Sequence, residues 1–179
     1  MDIPTPLTAG YSELLEAILE LDTNSTNLLL KPYTVGNTGG ILHICDADGK
    51  EMLHLLLGDP DPVMAEVRGN IASKNALRLL SRPDDVLASQ SFDYKRGQTD
   101  GAVRMQNGCI ISFSTISMGM NEPFCAAIGY HLGMSSMEYL MAAMNITNRT
   151  EVFLKINDLV AKALGKMPAL PQITHPRIT

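Results

Sequence analysis

Two histidines, His43 and His54, are the residues of this chain best placed to do chemistry. They lie in the stretch 41–57 (ILHICDADGKEMLHLLL), which reads as two strands joined by a tight turn at Asp48-Gly49, a strong hairpin signal. A turn centred there sets His43 opposite His54 and Cys45 opposite Met52. Side chains alternate across a strand, so Leu42, Ile44, Leu53, Leu55 and Leu57 form a core face, and His43, Cys45, Met52 and His54 share the other. Directly opposed Cβ atoms lie about 4.5–5.5 Å apart. That spacing suits two imidazoles on one metal, or one on haem iron with the other in support. His43, His54 and Cys45 supply three of the four ligands that a structural zinc site wants. Either histidine is also a candidate general base. The alternative is a sheet face covered by a helix or a second subunit, with both imidazoles hydrogen-bonded in place.

A second set is cationic. Lys74, Arg78 and Arg82 recur every fourth residue, so an extended helix would carry them on one face. Such a stripe could hold haem propionates or a carboxylate ligand, since arginine grips carboxylates bidentately; a solvated helix face is the alternative. The three cysteines, Cys45, Cys109 and Cys125, are odd in number and widely spaced, which argues against a structural disulfide. No Cys-x-x-Cys or sequence-adjacent base accompanies Cys109 or Cys125, and for these two buried, inert thiols are expected. Ser112, Ser114, Thr115 and Ser117 lie near Glu122 in sequence, but no Gly-x-Ser-x-Gly elbow is present, which argues against serine-hydrolase chemistry.

The elements that must position these groups follow from periodicity and breakers. A first helix is expected over about Ala9 to Leu21, and a glycine-rich loop at 35–40 lacks the lysine of a phosphate-binding loop. After the first hairpin, Asp59-Pro-Asp-Pro62 leads into a helix from about Val63 to Leu80. Its small residues Ala65, Gly69, Ala72 and Ala76 would let it lie close against a sheet, and Arg82-Pro83 ends it. The polar segment from Ser89 to Asp100 is the candidate mobile loop or lid. A second hairpin, Ala102 to Ser114, turns at Asn107-Gly108 and is expected to pair Arg104 with Ile111. Asn121-Glu122-Pro123 opens a helix that runs to Leu132 and stops at Gly133. Ser135 and Glu138 have capping-box spacing for the next. Val152, Phe153, Ile156, Leu159, Val160 and Ala163 make the apolar stripe of a last helix over about Thr150 to Leu164.

At 179 residues the chain is read as a single domain, with a core from about residue 9 to 165 and an extended tail from 166 to 179. Its net charge of −5 argues against general nucleic-acid binding. No run is long enough to span a membrane, and no leader is recognisable, so a cytoplasmic location is expected. Eleven methionines and no tryptophan point to adaptable packing, in the core or at a subunit contact.

Four pieces of sequence, in this order and spacing, resemble the GlcG/HbpS-like family of small haem-binding or haem-associated α/β domains. They are the strand ILHICDADG at 41–49; the helical IASKNA at 71–76 followed by Arg82-Pro83; the hairpin GAVRMQNGCIISFS at 101–114; and Asn121-Glu122-Pro123 at a helix start. Together they cover about Gly39 to Leu132. Where the family has small residues in the second hairpin, this chain has Ile111 and Phe113, bulkier groups that would narrow a pocket. The resemblance implies oligomers of four or more subunits, ligand sites near subunit contacts, and roles as haem carriers, sensors or accessory domains.

These readings give an α+β fold: an antiparallel sheet of two hairpins with helices packed on it, profilin-like in layout. The expected function is a cytoplasmic, homo-oligomeric binding protein for haem or a related small ligand. His43 and His54 would be the iron or divalent-metal candidates, with Cys45 as a third metal donor, and Lys74 and Arg78 would hold anionic groups. One alternative is a small cofactor-independent or metal-assisted isomerase or lyase with a histidine base. Another is an accessory subunit that binds a larger protein through the methionine-rich segment 134–144.

Overall fold

The computed structural model describes residues 39–58, 61–114 and 119–165. The expected first helix, most of the glycine-rich loop and the tail lie outside these residues. The chain is α+β, as its patterning indicates. Strands β1 (Gly39–Cys45), β2 (Glu51–Gly58), β3 (Ala102–Arg104) and β4 (Ile110–Ser114) form one antiparallel sheet in the order β2-β1-β4-β3. Among the described residues the α-helices are α1 (Pro62–Leu80), α2 (Asn121–His131), α3 (Met137–Ile146) and α4 (Thr150–Gly165), with two short 3-10 turns at Ala88–Ser91 and Tyr94–Arg96.

Both sheet faces are covered. α1 lies over the face that carries Ile41, Cys45, Ala102 and Ile110, and it meets them through Ala72, Ala76 and Leu79. The small-residue stripe does what its composition suggests: a Cβ at Gly69 would stand 3.5 Å from Ile41, in ordinary contact. Asp61 starts this helix by accepting from the backbone N–H groups of Val63 and Met64, with Pro62 at the first helical position. The other face carries Leu42, Ile44, Leu57, Val103, Ile111 and Phe113 and is covered by α2, against which α4 packs. Phe113 and Phe124 meet at 4.7 Å between ring centroids. Each such buried large side chain contributes about 1.5–3 kcal/mol. Met105, Met134 and Met144 are buried in this same core, so these methionines are packing groups. α2 is buried on nearly every side, whereas α4 buries its stripe of Phe153, Ile156 and Val160 together with Asn157.

The hairpins depart from a two-residue turn. In the first, the backbone N–H of Asp46 donates to the Lys50 carbonyl, leaving a three-residue loop that ends on Gly49 at φ 83°. In the second, Met105 and Cys109 close a three-residue loop that ends on Gly108 at φ 88°. A glycine in the left-handed region at the third loop position is the signature of this longer hairpin loop. The extra residue moves the second hairpin's register by one: Arg104 faces Ile110, not Ile111, and Val103 faces Ile111. In the first hairpin a bulge reverses the shift. Cys45 pairs with Glu51 and Ile44 with Leu53, so Met52 has no partner on β1 and His43 still faces His54.

Ser136, not Ser135, caps α3, its Oγ accepting from the Tyr139 N–H; Ser135 Oγ instead accepts from the Gln106 N–H. The polar segment after α1 is tied at both ends. Arg78 donates to the carbonyls of Ala88 and Thr99, and Asn75 to the Asp100 carbonyl and Thr99 Oγ1.

Candidate functional site

The histidine pair stands where β1 meets the edge strand β2. The rings lie 6.1 Å apart, centroid to centroid, and nearly edge to face. They differ in setting. His43, on the inner strand, is 8% exposed, whereas His54, on the edge strand, has 45% of its side chain exposed. Glu51 joins them. One of its carboxylate oxygens lies 3.3 Å from His43 Nε2 and 3.6 Å from His54 Nδ1. Glu51 reaches this face because of the bulge, which places it opposite Cys45. Met52, expected beside the histidines, instead puts its sulfur 3.9 Å from that of Cys109, a member of the core on the other face. His43 Nδ1 is buried with no hydrogen-bond partner, and so is the hydroxyl of Ser112, its cross-strand neighbour on β4.

Burial holds the His43 imidazole below the ordinary histidine range, against the opposing pull of Glu51 and with the support of His54. The sign of the resulting linkage is definite. With its folded pKa lowered, His43 stays neutral in the native state while the unfolded chain takes up a proton from about pH 6.5 downward, the ordinary histidine value. Stability from this site is therefore fully present above about pH 6.5 and is lost as pH falls through that value toward the folded pKa. Urea midpoints between pH 8 and 5 should fall more steeply for wild type than for His43→Leu. Parallel curves would show that His43 carries no such linkage.

Cys45 points to the α1 side, among Ala76, Leu79 and Ile110. All three cysteines are free and buried, and burial pushes each thiol above its ordinary pKa, so none is poised as a thiolate. The cationic stripe is divided. Lys74 is exposed, Arg78 is committed to the carbonyls of Ala88 and Thr99, and Arg82 lies past the helix end, 3.9 Å from Asp85. Among the described residues no group of three or more His, Cys, Asp or Glu side chains is arranged to hold a metal ion.

A second polar centre, which the sequence reading missed, lies toward the opposite edge of the sheet. Glu122, in the first turn of α2, is fully buried. Its carboxylate accepts the Ser89 backbone N–H and hydroxyl, each at 2.7 Å, and an Arg149 Nη1–H at 2.5 Å. Arg149 also lies 3.3 Å from Asp100, which is buried too and accepts from the Gly119 N–H at 2.5 Å. Burial, followed by the nearby Asp100, raises the Glu122 pKa, while Arg149 and Ser89 oppose the rise. The signal that could have found this centre was an acidic residue inside an apolar helix, Asn-Glu-Pro-Phe-Cys-Ala-Ala-Ile. Its partner is remote in sequence and carries no motif.

No family model matches the chain, and no curated protein or solved structure matches it either. Among the described residues no helix is long and apolar enough to cross a membrane.

Proposed function

We propose that this protein is a binding protein for haem or a closely related small ligand, holding it at the β2 edge through His54. The observation that carries this reading is the arrangement of His54: a half-exposed imidazole on an edge strand, with a carboxylate behind its Nδ1. A carboxylate in that position is the usual support for a metal-ligating imidazole. The donor set fits haem better than a protein-only metal site, because haem iron needs one or two axial ligands and not a closed cage. Leu56, on the same strand face as His54, is exposed, as are Val63, Met64 and Val67 on the first turns of α1, and these apolar groups suit a flat macrocycle. Haem, when bound, would supply an iron centre for redox or gas chemistry. The chain's own part is to hold it and to limit water access from one side. Lys74, exposed on α1, is the better of the two proposed cations for an anionic group, because Arg78 is engaged elsewhere.

A ligand at so open an edge calls for cover from a second subunit, which agrees with the oligomer of four or more copies that the family resemblance implies. The enzyme reading draws on the same residues: His43, with a carboxylate on Nε2 and an unpartnered Nδ1, has the form of an oriented base. Its burial beneath α1 keeps a substrate from it, so the binding reading stands first.

Haemin titration followed at the Soret band tests the proposal. Wild type should bind saturably with a shifted band, His54→Ala should lose the shift, and His43→Ala should retain a weakened form of it. Equal, unsaturable binding by all three proteins would remove His54 as a ligand.

A further inference from the structure

We infer that Glu51 is the positioning residue of this site and sets the two histidines in opposite tautomers, so that His54 presents Nε2 as its lone-pair donor. The purpose of this arrangement rests on the ligand-binding reading above; its geometry does not.

A neutral imidazole carries one proton, and the nitrogen that bears it is decided by what each nitrogen faces. An ionised carboxylate only accepts. The Glu51 oxygen stands 3.3 Å from Nε2 of His43 and 3.6 Å from Nδ1 of His54, the second an electrostatic contact longer than a hydrogen bond, and a carboxylate facing a ring nitrogen favours the tautomer with its hydrogen there. The lone pairs are left on His43 Nδ1, which is buried without a partner, and on His54 Nε2. His54 is the informative ring. Free neutral histidine prefers the Nε2–H form, so an Nδ1–H tautomer on a half-exposed side chain needs a cause, and Glu51 is the charged group facing that nitrogen.

Two backbone features serve this placement. The three-residue loop and the bulge at Met52 bring Glu51 onto the histidine face, where strict alternation would have put Met52. Bulges re-aim side chains in this way. On α1, Gly69 passes the exposed ring closely. A Cβ there would stand 3.8 Å from His54 Cε1, the carbon between the two nitrogens, in ordinary contact, so a longer side chain at this position would press on the ring.

Long-range proton–nitrogen correlation spectra of the ligand-free protein, at a pH where imidazoles are neutral, report each tautomer directly. Wild type should show His54 protonated at Nδ1 and His43 at Nε2. Glu51→Ala should return His54 to the Nε2–H form. Because the Glu51 side chain is more than half exposed, this variant is expected to fold. Haemin affinity should fall on the order of 10–100-fold in the variant, the usual cost of losing such a support. An Nε2-protonated His54 in wild type, or tautomers that do not change in Glu51→Ala, would overturn the inference whatever the haemin result. The expected tautomers in a wild type that binds no haemin would sustain the role of Glu51 and sink the ligand reading alone.

Discussion

Replacing Arg149 by methionine is expected to destabilise the fold by about 3–5 kcal/mol, the cost of leaving a buried charge without its partner. Here two carboxylates are left. Glu122 is 0% exposed and Asp100 2%, and both face the same guanidinium, at 2.5 and 3.3 Å. Methionine keeps much of the aliphatic length of arginine, so lost packing contributes little to the difference. The position is specified by backbone: Asn148 adopts φ 56° where α3 gives way to α4, and the Arg149 N–H returns to the Met144 carbonyl. The defect should also depend on pH. The Glu122 pKa already stands above its ordinary value, and Arg149 is one of the two groups restraining it. Without Arg149 it rises further. A carboxylate with a raised folded pKa takes up its proton in the native state first, so the variant should regain stability as pH falls from neutrality into the window above the ordinary carboxylate range. Urea unfolding at pH 7.5 and 5.5 should show the gap between variant and wild type narrowing at the lower pH. A loss below about 1 kcal/mol at pH 7.5 would mean that water screens the centre as it screens surface pairs.

What the sequence revealed, and what it hid, follow from the range of the interactions. Strands, helices and the α+β class were legible because each rests on local periodicity. Pro62, Gly133 and the apolar stripe of α4 mark their elements from within. Asp48-Gly49 and Asn107-Gly108 located both hairpins but not their loop lengths, because a glycine in the left-handed region serves a two-residue and a three-residue loop alike. That one-residue ambiguity decides faces. In the second hairpin it moved Arg104 from Ile111 to Ile110. In the first, a bulge with no sequence signature restored the pairing of His43 with His54 while exchanging Met52 for Glu51. The expected histidine pairing was therefore right for an incomplete reason, and the carboxylate between the rings was not visible. The Lys74, Arg78 and Arg82 spacing was real, but spacing along a helix says nothing about which residues a neighbouring loop will engage. Glu122, Asp100 and Arg149 come from three separate segments, and only tertiary structure brings them together.

Gly101 provides the sharpest test of how those segments are joined. Gly101→Ala is expected to cost on the order of 3 kcal/mol, from backbone strain combined with overpacking. Its φ is 115°, which L side chains rarely adopt, and a Cβ there would stand 2.5 Å from the Phe113 carbonyl oxygen, with Asn121 at 3.3 Å and Asn75 at 3.4 Å. The obstacle is backbone and cannot rotate away. Nor can Gly101 withdraw easily, because its own carbonyl accepts the Phe113 N–H at 2.8 Å, just beyond the ladder of β3 and β4. Gly133 is the control. It too has positive φ, at 71°, but nothing lies within 4 Å of where a Cβ would be. Alanine there should cost only about 1 kcal/mol, from the left-handed backbone alone. Thermal and urea unfolding of the two variants should therefore separate conformational strain from collision. If both lose the same small amount, the close approach of Gly101 to Phe113 does not exist in solution, and the path by which Asp100 reaches Arg149 would have to be redrawn.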